Sequence, residues 1–236
     1  DYINPKNSLV LFGLDEQFDF LLNLYNLKKF PKVLMLKGKK GNGKFTLVNH
    51  FLSYVFDQDS YDIKNKTILA NSTYYRQYMS DVFPNIIHLS GDYYKNIKVD
   101  DIRDLKSKIL TTAMNNKNRF IILDDIELFN INSLNALLKI IEEPTSNNHF
   151  ILINNETKPL METINSRSLE LKITLDKKMR TKIINLLITK NDLKVFLDFD
   201  ALTITPGNFL RFNKICEENN ININDNFLEN MQLLLN

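Results

Sequence analysis

The chain has 236 residues, 44% hydrophobic and 25% charged, which suits one large globular domain or a domain with a small satellite. Lys and Arg number 30 against 28 Asp and Glu, a net charge of +2; no overall basic field marks a nucleic-acid binder, so DNA contact would need a local patch or an assembly. The single cysteine, Cys216, excludes an intramolecular disulfide framework and a Cys-based zinc cluster within one chain and fits a reducing cytoplasm, and no apolar run approaches the roughly 18 residues needed to cross a membrane.

In chain order, Phe18, Leu21, Leu22 and Tyr25 recur at helical spacing and predict an amphipathic helix over 15–27. Pro31 separates it from a short apolar run at 33–36, which leads straight into Gly-Lys-Lys-Gly-Asn-Gly-Lys at 38–44. Leu47, Phe51, Tyr54 and Val55 then give a following helix its buried face. Strand, glycine loop and helix in this order give a phosphate-binding loop its physical meaning. Glycine torsions let backbone amides surround a phosphate, and the helix N-terminus adds the positive end of its dipole. Gly38, Gly41, Gly43 and Lys44 are the nucleotide-binding candidates, with Lys44 reaching the terminal phosphates. The pattern fails at Phe45, where Ser or Thr would ligate Mg²⁺; Thr46 comes one residue late, turned by about 100° around the helix. A Gly/Lys-rich turn without a ligand stays open as the alternative. The Lys28, Lys29, Lys32, Lys37, Lys39 and Lys40 cluster reads as solvated surface or as a contact to DNA phosphates.

Residues 57–94 are polar and aromatic, with Tyr61, Tyr74, Tyr75, Tyr78, Tyr93 and Tyr94, and are legible only coarsely. A returning strand is expected over 83–89, then a helix carrying Ile102, Leu105 and Ile109 on one face. The next apolar run, Phe120 to Leu123, ends in Asp124 and Asp125, the Walker B pattern by which a buried parallel strand delivers carboxylates to its C-terminal edge. Solvation or capping of an ordinary turn is the plain alternative. Leu134, Leu137, Leu138 and Ile141 predict another helix, stopped by Pro144 after Glu142 and Glu143. A further strand over 150–153 ends in Asn154 and Asn155, and Ser166-Arg167-Ser168 follows. After a strand at 169–173 the pattern turns helical: Met179, Ile183, Leu186 and Leu187, then a Thr205-Pro206-Gly207-Asn208 turn into a helix through Asn219, then Phe227, Met231 and Leu234. The expected architecture is an α/β domain over 1–174, a parallel sheet flanked by helices, followed by a small all-helical domain over 175–236.

The run NALLKIIEEP, followed by a strand and then SRS, resembles the AAA+ subunits of bacterial sliding-clamp loaders, most closely the delta-prime subunits of DNA polymerase III. The resemblance implies an AAA+ P-loop core with a helical lid, and a cytoplasmic role in DNA replication. The implied partners are other clamp-loader subunits in a hetero-oligomeric ring, the sliding clamp and, through the assembly, primer-template DNA, with no membrane. It also implies a third, helical collar domain, which this sequence does not include. Such subunits often carry a four-cysteine zinc module near 57–94, and its cysteines are not here, so zinc is not carried over.

By the same resemblance, Asp124 would orient Mg²⁺ and Asn154 would sense the terminal phosphate. Asp125 stands where hydrolysing relatives use a Glu to activate water, one methylene short. Arg167 matches the arginine that enters a neighbouring subunit's ATP site as a finger, with Ser168 in place of Cys. Hydrolysing relatives carry a lid arginine where this chain has Gly207, and Arg211 is a poor replacement. The implied cofactor is ATP with Mg²⁺, bound weakly or not hydrolysed, with no resident metal and little or no ATPase of the chain's own. The rival expectations are an active AAA+ motor, gamma-like or a helicase loader, resting on Lys44 and Asp124, and a P-loop module outside replication.

Overall fold

The chain forms, in order, α1 (Asp15–Asn26), β1 (Val33–Lys37), α2 (Lys44–Phe56), the short strands β2 (Tyr61–Asp62) and β3 (Thr67–Ile68), α3 (Thr73–Met79), β4 (Ile86–Ser90) and α4 (Val99–Leu110). It continues with β5 (Arg119–Asp124), α5 (Ile131–Glu142), β6 (Asn148–Asn154), α6 (Glu162–Asn165), β7 (Leu169–Lys172), α7 (Lys177–Asn191) and α8 (Pro206–Glu218). This is a computed structural model that describes residues 1–91, 97–110, 118–145, 147–199, 203–219 and 221. The expected C-terminal helix with Phe227, Met231 and Leu234, and the positions of Tyr93 and Tyr94, lie outside the described residues.

Five strands pair in parallel in the order β4-β5-β6-β1-β7, while β2 and β3 form a separate antiparallel pair. Parallel pairing puts every C-terminal strand end along one edge. Lys37 is in register with Asn154, and Ser90 with Asp124, so the glycine loop and the acidic pair arrive on the same side. The first sheet strand lies between the last two, and such a reversal of strand order opens a crevice beyond the carboxyl ends.

Alternation along each central strand builds two cores, one per face. Leu34, Leu36, Phe120, Ile122, Ile151 and Ile153 face one core with α1 and α2. Val33, Met35, Ile121, Leu123, Phe150 and Leu152 face the other with α4 and α5. Fully buried Phe51 and Phe120 meet edge to face at 5.8 Å, and each such ring stabilises by roughly 2–3 kcal/mol through burial alone. The aromatic stretch packs inward: Tyr61, Tyr74 and Tyr78 are buried in the first core. A third cluster joins Ile184 of α7 to Phe209, Leu210 and Cys216 of α8, with Tyr2 and Ile3 against it.

Two elements differ from their sequence pattern. The returning strand starts at Ile86, not residue 83, because Pro84 has no amide to donate to a ladder. On α7, Leu186 is 38% exposed while Ile183 and Ile184 are buried. The helix serves two surfaces: Met179 and Ile183 crowd Gly13, and Ile184 faces the third cluster. No described helix is long and apolar enough to cross a membrane.

Candidate functional site

The loop at 38–43 is built by close backbone approach. At Gly41 (φ +88°) a side chain would strike the Thr205 hydroxyl, and at Gly38 it would strike the Ile173 carbonyl oxygen. Gly43 (φ +86°) is the residue that caps α2, a left-handed torsion that glycine adopts without strain. The first turn of α8 sits directly on this loop. The Gly207 amide donates to the Gly41 carbonyl at 2.9 Å, and the Thr205 hydroxyl donates to the Lys40 carbonyl at 2.7 Å. Thr205 is the N-cap of α8, yet its side chain makes no capping bond; the hydroxyl serves the loop instead.

Lys40 and Lys44 are both engaged. Lys44 is 3% exposed and donates to the Gly38 carbonyl at 2.5 Å and the Lys39 carbonyl at 2.9 Å. Burial, partly offset by Asp124, Glu127, Asp125 and Glu156, lowers its pKa to about 8. Lys40 reaches both oxygens of Asp125, at 3.1 and 3.0 Å. Asp125 has a left-handed backbone (φ 50°), which Asp tolerates better than most residues. Its Oδ1 also accepts from the Asn155 side-chain Nδ2 at 2.7 Å. Asp124 accepts the Asp125 N–H at 2.8 Å, and burial, reinforced by the Asp125 charge, raises its pKa to about 6. Buried Glu127 completes the arrangement, its Oε1 accepting from the Asn155 amide N–H at 3.0 Å and the Thr157 hydroxyl at 2.8 Å.

Lys40, Gly41, Gly43, Lys44, Thr46, Asp124, Asp125 and Asn155 border one cavity of about 190 Å³, which Arg211 also lines. A second cavity of about 840 Å³ shares Phe45, Asp124, Asp125 and Arg211 with it, within the roughly 300–1,000 Å³ of typical small-molecule pockets. Of the expected residues, Asn154 stays apart: its side-chain oxygen accepts from the Glu156 amide at 2.8 Å, and the adjacent Asn155 reaches Asp125. Gly38 shapes the loop from behind, against Ile173. Sequence reasoning missed Lys40, Asn155, Glu127 and Thr205. The partners of Lys40 and Thr205 are 85 and 165 residues away, and no local spacing signals such pairs.

Two positions depart from a standard magnesium–nucleotide site. Phe45 offers a ring, packed on His88 with centroids 4.9 Å apart, where a hydroxyl ligand is needed. Asp125 is paired with Lys40.

Arg167 does not line the cavity. It follows the short α6, whose end is closed by the Ser166 and Arg167 amides on the Glu162 and Ile164 carbonyls. Its Nη2 pairs with Glu142 Oε1 at 2.7 Å, its Nη1 donates to the Thr163 carbonyl at 2.9 Å, and its side chain is 38% exposed.

A family model described as DNA polymerase III, delta subunit, matches residues 13–177. The chain is 26% identical over 162 residues to DNA polymerase III subunit delta' of Buchnera aphidicola subsp. Baizongia pistaciae, covering 65% of this chain and 47% of that protein. It is 37% identical over 76 residues to subunit delta' of Pseudomonas aeruginosa, covering 32% and 23%. Against subunit tau of Bacillus subtilis it is 29% identical over 169 residues, covering 69% and 28%. The chain thus spans less than half the length of each of these relatives. The RuvB Holliday junction branch migration motor of Thermotoga maritima shares the fold, with a TM-score of 0.54 at 17% identity over 92% of this chain and 66% of that one. The parallel sheet flanked by helices that the sequence predicts is the one observed, in the fold of that motor.

Proposed function

We propose that this chain, which belongs to the DNA polymerase III, delta subunit family, is a ring member of a clamp loader in DNA replication and lends Arg167 to the ATP site of an adjacent subunit. It would join other loader subunits in opening a sliding clamp and closing it on primed DNA, as a cytoplasmic component. In this reading the helical lid begins near residue 174.

The observation that carries the proposal is a contrast between two sites. The chain's own loop is satisfied from within by Lys44, Thr205 and Gly207, with Asp125 tied to Lys40. Arg167, by contrast, lies partly exposed outside that cavity. In the neighbour's site, water attacks the γ-phosphorus, the bond to the leaving ADP oxygen breaks, and negative charge spreads over the transferring group. A planar guanidinium with several fixed donors stabilises that charge better than a point cation. In a reconstituted loader, Arg167→Lys should therefore lose most of the DNA-stimulated ATPase although the charge is kept; full activity with lysine would count against the finger.

A second reading, an active motor, has one observation in its favour. Arg211 lies one helical turn beyond Gly207, on the same face of α8, and borders the same cavity as Lys44 and Asp124. Calorimetry of the chain with ATP and Mg²⁺ separates the two readings. Tight Mg²⁺-dependent binding with turnover would favour the motor, and weak binding without turnover favours the ring member.

A further inference from the structure

The carboxylate at the end of α5 and the arginine after α6 are 25 residues apart in sequence, yet they meet at 2.7 Å. We infer that Glu142 is a positioning residue for Arg167, holding the guanidinium in the orientation from which it serves the neighbouring subunit; this rests on the reading of Arg167 given above.

The geometry supplies the argument. An arginine side chain has four rotatable bonds and normally samples many rotamers when exposed, so a free finger would have to be ordered at each encounter. Arg167 is clamped at two points on different elements. Nη2 is held by the Glu142 carboxylate and Nη1 by the Thr163 carbonyl within α6. The two contacts fix the plane of the fork, and they occupy only two of the five N–H groups a guanidinium carries. Glu142 ends α5, the helix whose Leu134, Leu137 and Ile141 are buried against the sheet, so the anchor for the finger is carried by a helix packed on the core. The same α5 starts shortly after the acidic strand end at Asp124.

Both partners are too exposed, 38% for Arg167 and 46% for Glu142, for the pair to matter much to folding. Its removal should therefore leave the protein folded and the loader assembled. A carboxylate beside the finger also lowers its net positive field, so a purely electrostatic role for Glu142 would oppose phosphate stabilisation. A positioning role predicts the opposite sign for its loss, and this separates the two.

The test is the full-length protein assembled with its partner subunits, with steady-state ATP hydrolysis measured on primed DNA and the melting temperature as a control for folding. Glu142→Ala should lower kcat on the order of tenfold, the cost of a small misplacement of a catalytic group, with little change in KM for ATP. Glu142→Gln, which keeps the acceptor oxygen, should restore most of the rate. Glu143→Ala, which removes the same charge one residue along, should match the parent. In an Arg167→Ala background, Glu142→Ala should have no further effect. If Arg167→Ala is impaired but Glu142→Ala matches the parent or is faster, positioning is overturned while the finger stands. If Glu142→Ala is equally harmful with and without Arg167, its role is elsewhere and positioning is again overturned. If Arg167→Ala itself is fully active, the finger reading fails and this inference falls with it.

Discussion

Burial moves Asp124 and Lys44 in opposite directions, the acid up to about 6 and the amine down to about 8. For Asp124 the unfolded chain releases its proton near the ordinary value of 3.8, while the folded chain holds it to higher pH. Its contribution to stability is therefore complete below 3.8 and is lost as pH rises through about 6. Carrying this carboxylate ionised at neutral pH costs roughly 3 kcal/mol. Asp124→Asn keeps an acceptor for the Asp125 N–H and removes the charge. In urea unfolding, its stability relative to the parent should improve by about 2–3 kcal/mol between pH 4 and pH 7.5, and a difference that does not vary with pH would contradict this. At the residue scale the sequence made the acidic pair legible, because an apolar run ending in Asp-Asp is a local pattern. It did not resolve Asn154 from Asn155, since which of two adjacent side chains reaches Asp125 depends on how the chain turns after β6. Here Asn154 folds onto the Glu156 amide and leaves Asn155 to make the contact.

The contact between the glycine loop and α8 is the element-scale feature that holds the loop in place. A Cβ on Gly207 would lie 2.7 Å from the Gly41 Cα, and neither backbone can give way as a flexible side chain would. Alanine is the better helix former by about 1 kcal/mol, so propensity alone favours Gly207→Ala, but overpacking against backbone costs typically 1–3 kcal/mol and should win. We expect net destabilisation of about 1 kcal/mol. Hydrogen exchange should also be faster at the residue 207 amide, which now bonds to Gly41; unchanged protection would show that α8 tolerates the methyl group. Long amphipathic helices such as α1, α4 and α5 and the apolar strands were legible, because burial of one face or of both imposes a period on the residues. The two-residue β2 and β3 and the four-residue α6 are too short to have a period. On α7 the stripe Met179-Ile183-Leu186-Leu187 foretold the helix but not its packing, because the helix buries parts of two faces against different partners and leaves Leu186 outside.

For the whole molecule, strand order brings the loop, the acidic pair and the end of β6 to one edge, while α5 and α6 carry Glu142 and Arg167 to a separate surface. The architecture could be read from the alternation of strands and helices along the chain. The engagement of Lys40 and of the loop's carbonyls could not, because it joins residues of the glycine loop to the turn after β5 and to the start of α8 over long sequence separations. The proposed function combines a glycine-loop site held by its own side chains with Arg167 as the donor to a neighbouring subunit. Its most direct test is single-turnover ATP hydrolysis on primed DNA by a loader assembled around Arg167→Ala. The account predicts a fall of about a thousandfold, the scale of a finger's contribution in phosphoryl transfer, in a ring that still assembles. A parental rate in that assembly would contradict it.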